Sequence, residues 1–135
     1  MDIKGGCLCG AVRYSATVEQ AAAGICHCRD CQRFTGSAFA ALVVVPKAAV
    51  TIDGAMTTFS SPGGSGQPLL RHFCPQCGSS LAEESPTRRP GMLILNVGTF
   101  DDPAMVMPMR ETFRDDAWPW LHIDGDIPRF AKRPT

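Results

Sequence analysis

Seven cysteines stand in three short modules: Cys7 and Cys9 in GGCLCG, Cys26, Cys28 and Cys31 in CHCRDCQRFTG, and Cys74 and Cys77 in FCPQCGSSL. A thiolate is both a nucleophile and a soft metal ligand. An odd number of cysteines cannot pair completely within one chain, and three crowded into six positions are poorly placed to bridge one another. A CxxC followed by glycine reads as a zinc knuckle, in which backbone N–H groups turn toward the sulfurs and Gly78 supplies the permissive backbone that closes the turn. The seven sulfurs divide naturally as four plus three. Cys7, Cys9, Cys74 and Cys77 offer the two pairs that a closed structural site commonly takes from separate parts of a chain. Cys26, Cys28 and Cys31 offer three ligands from one loop, the number a catalytic zinc uses when its fourth position is left for water or substrate. The expectation is two zinc ions per chain, one structural and one catalytic. Other readings stay open at this point: disulfides for the CxC and CxxC pairs, a redox pair or a site closed by His27 in the CxCxxC loop, and a different partition such as Cys26 and Cys28 with Cys74 and Cys77.

The elements that must position these sulfurs are short. AVRYSATV (11–18) alternates, AFAALVVV (38–45) is a continuous β-branched run, and AVTIDG (49–54), MTTFSS (56–61), LLRHFC (69–74) and MLILNVGTF (92–100) follow between turn signals. SPGGSGQP (61–68) and ESPTRRPG (84–91) read as loops. No long stripe of 3.6-residue period is present. The best helical candidate is a turn from Arg29 to Thr35, with a second possible in DDAWPWL (115–121). The pattern predicts a mainly β fold of short antiparallel sheets with few helical turns, in a single domain over residues 1–135. IPRFAKRPT reads as a strand end followed by a loose tail.

Composition narrows the partners. The chain has 135 residues, 44% hydrophobic and 19% charged, with 13 basic and 13 acidic side chains. That balance suits a folded globule and lacks the basic footprint of a nucleic-acid binder or membrane anchor. The longest apolar run, AFAALVVVP, is too short to cross a bilayer. The opening MDIKGGCLCG has no apolar signal core, so a soluble cytoplasmic protein is expected, as a monomer or, through exposed strand edges, a homodimer.

GGCLCGAVRY, CHCRDCQRFTGSAF and RHFCPQCGSSL, in that order, closely resemble the glutathione-dependent formaldehyde-activating enzyme family, which also includes the centromere protein V type domain. The matching motifs run from Gly5 to Leu81, with a weaker match in WPWLHIDGDIPRF. The resemblance implies an Mss4-like, zinc-bearing β fold, with a structural zinc on Cys7, Cys9, Cys74 and Cys77 and a catalytic zinc on Cys26, Cys28 and Cys31. It also implies carbon–sulfur lyase chemistry that interconverts glutathione plus formaldehyde with S-hydroxymethylglutathione. A small thiol, glutathione among them, is then the expected partner. The alternative is a non-catalytic, zinc-stabilised module that binds a thiol, peptide or protein.

A substrate with carboxylates needs anchors. Arg29 and Arg33 flank the open site and can pair with carboxylates or simply face solvent. Thr35 and Ser37 can offer donors beside the metal or cap the turn. His27 is expected behind the ligands or facing outward, His72 as a structural group or thiolate partner, and Trp118 and Trp120 as a seal on one edge of the core. No general acid or base stands out. Members of the family often carry histidine in a P-x-H-I pattern; MPMRETF puts Arg110 there, an always-charged group in place of a titratable one.

Overall fold

The computed structural model describes residues 1–64 and 66–134. Alternation of buried and exposed positions in β1 (Asp2–Gly6) and β2 (Arg13–Thr17) builds a first sheet, which the mostly exposed β5 (Val50–Asp53) extends; all are antiparallel, in the order β1-β2-β5. The remaining strands are β3 (Ala22–Cys26), β4 (Ala40–Pro46), β6 (Thr57–Pro62), β7 (Pro68–Phe73), β8 (Ser80–Glu84), β9 (Met92–Asn96) and β10 (Met107–Thr112). They form a seven-stranded sheet in the order β10-β3-β4-β9-β8-β7-β6. One helix, α1 (Arg29–Thr35), follows β3.

The mainly β expectation holds, with one difference: β10 runs parallel to β3, while the other pairs are antiparallel. A parallel neighbour needs a long return connection. Here everything between β3 and β10 serves as that connection. The tail also differs from expectation. Phe130 donates its N–H to the Glu111 carbonyl, Glu111 donates to Pro128, and Phe113 donates to Lys132, so the tail lies along β10. The helical turn expected within 115–121 is a single 3-10 turn at Arg114–Asp116, ahead of Pro119. The two tryptophans do not seal the core: Trp118 is half-buried and Trp120 is exposed, the rings 5.4 Å apart.

Each face of the large sheet has its own task. Ala23, Val43, Val45, Ala82, Leu93 and Leu95 pack with Ile3, Val12, Tyr14 and Ala16 of the first hairpin into one core. The period of two sends the intervening residues to the opposite face. Register places Gly24 beside Leu42, Val44 beside Ile94, and Ile94 beside Glu83. These positions, with Cys26 at the end of β3, line an open cavity rather than the core. β8 and β9 are therefore buried on both faces.

A charged pair stiffens that second face. Arg71 on β7 and Glu83 on β8 are paired in register, with Nη1 3.2 Å from Oε1 and both side chains under one-tenth exposed. The guanidinium also lies 5.4 Å from the centre of the Phe34 ring. Burial pushes the Glu83 carboxyl above its ordinary range, against the pull of Arg71.

Arg71→Met is therefore expected to leave a buried carboxylate alone and to cost about 3–5 kcal/mol at neutral pH. The folded variant would hold a proton on Glu83 more tightly than the unfolded chain does. Its stability then falls as pH rises above the usual carboxylate pKa, so the loss should be smaller at pH 5 than at pH 7.5. Denaturant unfolding at both values checks this; an equal loss at the two contradicts it.

Candidate metal centres and cavity

The first sulfur cluster sits where the two sheets meet. Cys7 and Cys9 occupy the turn after β1, which closes through Cys7 N–H to the Val12 carbonyl at 3.0 Å. Cys74 and Cys77 occupy the turn between β7 and β8. There Cys74 N–H reaches the Ser79 carbonyl at 3.1 Å, and Gly78 N–H reaches the Cys74 carbonyl at 2.9 Å. Gly78 has φ +77°, the left-handed conformation that the CxxC-Gly pattern anticipates. Leu8 N–H donates to Ser79 Oγ at 3.0 Å, tying the two turns together.

The four sulfurs lie within 4.8 Å of one another. Cys7 and Cys9 are 3.6 Å apart, and Cys9 and Cys74 are 3.7 Å apart. Tetrahedral coordination with metal–sulfur bonds of about 2.3 Å requires sulfurs about 3.8 Å apart, so the cluster matches that shape. All seven cysteines are free thiols, which removes the disulfide reading. Hydrogen bonds from the Ser79 hydroxyl and N–H draw Cys77 down to about 5. Val12 N–H points at Cys7 Sγ from 3.2 Å and Gln76 N–H at Cys74 Sγ from 3.4 Å. At Cys7 and Cys77 such donors favour thiolate over thiol.

Cys26, Cys28 and Cys31 form the second cluster, again within 4.8 Å of one another. Cys26 ends β3. Cys28 is the N-cap of α1, its sulfur accepting from Cys31 N–H at 3.3 Å, and Cys31 is buried in the first turn. Gly36, at φ +69°, ends the helix with its N–H on the Gln32 carbonyl. The Cys26 and Cys31 thiols donate to Cys28 and hold it down at about 2. Sharing with Cys28 keeps Cys26 up at about 11, and sharing with Cys26 and then Cys28, with burial, drives Cys31 far above its usual value. One negative charge thus occupies the trio readily and the next two do not. A cation is what would let all three ionise. By donor set and spacing both clusters can hold a metal ion, and both are compatible with zinc.

The loop under this trio is held by groups other than sulfur. His27 is fully buried, which fits the placement behind the ligands and rules out the outward-facing alternative. Its Nε2 lies 2.7 Å from Glu111 Oε1, and its N–H donates to the Thr112 carbonyl. Glu111, also fully buried, accepts from Arg114 and Arg129. Gln32 donates to the carbonyls of His27 and Asp116 and accepts from Arg29 and Trp118 Nε1. His72 bonds Thr58 and Glu84 on the other face of the sheet and is structural.

The trio opens on a cavity of about 360 Å³. Arg29 lines it, with its guanidinium on Gln32. Arg33, Thr35 and Ser37 instead line a separate groove beside Cys77, on the other side of α1. The Thr35 hydroxyl donates to the Cys31 carbonyl and accepts from Ser37 N–H, closing the helix end. Residues that the sequence left unnoticed complete the cavity: Arg71 and Glu83, Leu42, Ile94 and Phe113, with Arg88, Arg89 and Arg133. Only Arg71 and Glu83 carried a sequence signal, as opposite charges inside apolar strands; the other arginines come from a loop and the tail.

Residues 2–116 match the family of the glutathione-dependent formaldehyde-activating enzyme. A Schizosaccharomyces pombe protein named as an uncharacterized lyase is 29% identical over 80 residues, which is 59% of this chain and 56% of that protein. The match thus spans a little over half of the relative's length. A crystal structure of a Rhodobacter sphaeroides protein has the same kind of fold, with a TM-score of 0.59 at 24% identity over 78% of this chain and 99% of that one.

The two clusters should respond differently to mutation. Cys74→Ser opens the clasp between sheets, where a bound metal would contribute folding free energy, and should leave the protein largely unfolded at 37 °C. Cys28→Ser leaves the Gln32 and Glu111 bonds in place, so its melting temperature should stay within about 5 °C of the parent, a shift on the order of 1 kcal/mol. Parallel thermal melts measure both. Equal losses would contradict the division.

Proposed function

The chain belongs to the glutathione-dependent formaldehyde-activating enzyme family, and we propose that it is a zinc-dependent carbon–sulfur lyase acting on a small thiol–aldehyde adduct of the S-hydroxymethylglutathione class. The observation that carries this reading is the second cluster. Three sulfurs converge on a cavity wall, and among the described residues no histidine or carboxylate completes their set. The neighbouring ring that could have done so, His27, is turned away onto Glu111.

Zinc held by Cys26, Cys28 and Cys31 would supply Lewis acidity toward an aldehyde oxygen and a position for thiolate exchange. Three thiolates weaken that acidity, which favours sulfur exchange over making a strong hydroxide. The chain's own residues do the rest. α1 and the Gln32 and Glu111 bonds hold the sulfurs in place. Leu42, Ile94 and Phe113 give the cavity an apolar wall that limits water around the adduct. Glu83, raised by burial, is the group assigned to take the proton of the substrate thiol and pass it to the former aldehyde oxygen as the carbon–sulfur bond forms, and to carry it from that hydroxyl back to sulfur when the bond breaks.

Metal analysis joined to an exchange assay tests the reading. Purified protein should contain two zinc ions per chain and should speed the equilibration of glutathione and formaldehyde with their adduct, followed by NMR. Cys28→Ser should retain one zinc and lose the acceleration by more than about 100-fold, the scale of removing a catalytic metal ligand or its support. Two ions without acceleration of this or any small thiol–aldehyde exchange would leave a binding module in place of an enzyme.

A further inference from the structure

Four guanidiniums gather on one side of the cysteine cavity from three distant parts of the chain. Arg88 and Arg89 come from the loop after β8, Arg110 from β10, and Arg133 from the tail. They share a cavity of about 650 Å³ that also reaches Cys26 and borders the first through Leu42, Ile94 and Phe113. Parity explains Arg110. Glu111 faces the buried His27, so its neighbour on the strand must face the cavity, across from Gly24. With no side chain, Gly24 leaves the arginine room, its Nε 3.9 Å from where a Cβ would stand.

These charges form no ion pair with a described carboxylate, although Asp30, Glu83 and Asp116 line the smaller cavity that Arg88, Arg89 and Arg133 also border. Among the described residues none of the four arginines has an ion-pair partner, whereas Arg13, Arg71, Arg114 and Arg129 all do. No Asp or Glu among the described residues lines the larger cavity. Burial and the charges of Arg110 and Arg88 pull Arg89 below its ordinary value, which is the mark of like charges brought together without compensation. Such an arrangement is unfavourable in the free protein and is relieved when an anion enters. Forked guanidiniums suit oxyanions with two or three oxygens.

We propose that Arg88, Arg89, Arg110 and Arg133 form a subsite for a doubly charged oxyanion tail, a dicarboxylate or phosphate ester, on the molecule whose sulfur end meets Cys26, Cys28 and Cys31. The proposal rests on the lyase reading only for that sulfur end. The apolar strip of Leu42, Ile94 and Phe113 between the two ends takes a short hydrocarbon spacer. A tail carrying an ammonium group is disfavoured, because no described residue of the larger cavity is an acid that could receive it. Arg110 thereby acts as a specificity residue, and a substrate more anionic than a zwitterionic thiol peptide is selected.

Calorimetric titration of the protein as purified, at low ionic strength, tests this with mercaptosuccinate, 3-mercaptopropionate and cysteamine as thiols of two, one and no carboxylates. Succinate and phenyl phosphate serve as probes without sulfur, and whichever binds more tightly identifies the tail. Mercaptosuccinate should bind at least tenfold more tightly than 3-mercaptopropionate, with cysteamine weakest. The advantage should fall below threefold in the Arg89→Gln, Arg110→Gln double variant and shrink in high salt. The Arg89→Lys, Arg110→Lys variant should keep part of it, and unchanged binding of neutral 2-mercaptoethanol shows that the variants fold. Equal affinities for one and two carboxylates, or an advantage that survives the glutamine variant, overturn the subsite. The two readings fail separately. Arginine-dependent binding of succinate or phenyl phosphate without any lyase turnover keeps the subsite and removes the enzyme. Turnover of the glutathione adduct with no charge preference keeps the enzyme and removes the subsite.

Discussion

Sulfurs held within 4.8 Å of one another, in two groups, cannot all ionise unless a cation joins them, and this constraint runs through the molecule. In the group formed by Cys7, Cys9, Cys74 and Cys77 it produces a clasp. The first hairpin and the β7–β8 turn meet there across 65 residues of intervening sequence. Without a central charge, the donors aimed at Cys7, Cys74 and Cys77 would hold a cluster of partial charges with little to balance them. With one, the same donors orient ligands and join the two sheets.

The second group experiences the same constraint with one sulfur fewer. Its loop has therefore been anchored by other means: the N-cap at Cys28, the Gln32 amide on two carbonyls, and the fully buried His27–Glu111 pair. Buried polar contacts to a carboxylate are poor sources of stability, since desolvation takes back most of the attraction. Their value here is positional. Glu111 fixes β10, the tail and the cysteine loop together through His27, Arg114 and Arg129, so the geometry of the trio does not depend on sulfur alone.

The seven-stranded sheet supplies the division of labour. Its core face is apolar and closes on the small sheet; its cavity face carries Cys26, Leu42, Glu83, Ile94 and Arg110 in alternate positions of five strands. A one-residue slip in any of these strands would exchange the two sets. The unpaired arginines and the crowded sulfurs on this face are both electrostatically costly, in opposite senses: one region lacks a cation and the other an anion. A metal ion at one end and an acidic ligand at the other would compensate them separately, so the two ends of the cavity would suit the two ends of one molecule.

The sequence by itself determined what local spacing can encode. The CxC, CxCxxC and CxxC-Gly modules, the four-plus-three grouping, α1, and strands such as β4 with its β-branched run were legible because each depends on residues within a few positions. Strands β3 and β10 were not, since AAGIC has weak strand propensity and MPMRET carries a proline; their pairing partners create them. For His27 the sequence left two placements, behind the ligands or facing outward, because the carboxylate that holds the buried ring lies 84 residues away. Arg33, Thr35 and Ser37 stood next to the trio in the chain, but the helix turns them onto another groove. Only the tertiary structure decided which arginines share a cavity with the sulfurs, because a loop, a strand and the tail meet there through sheet register and not through sequence proximity.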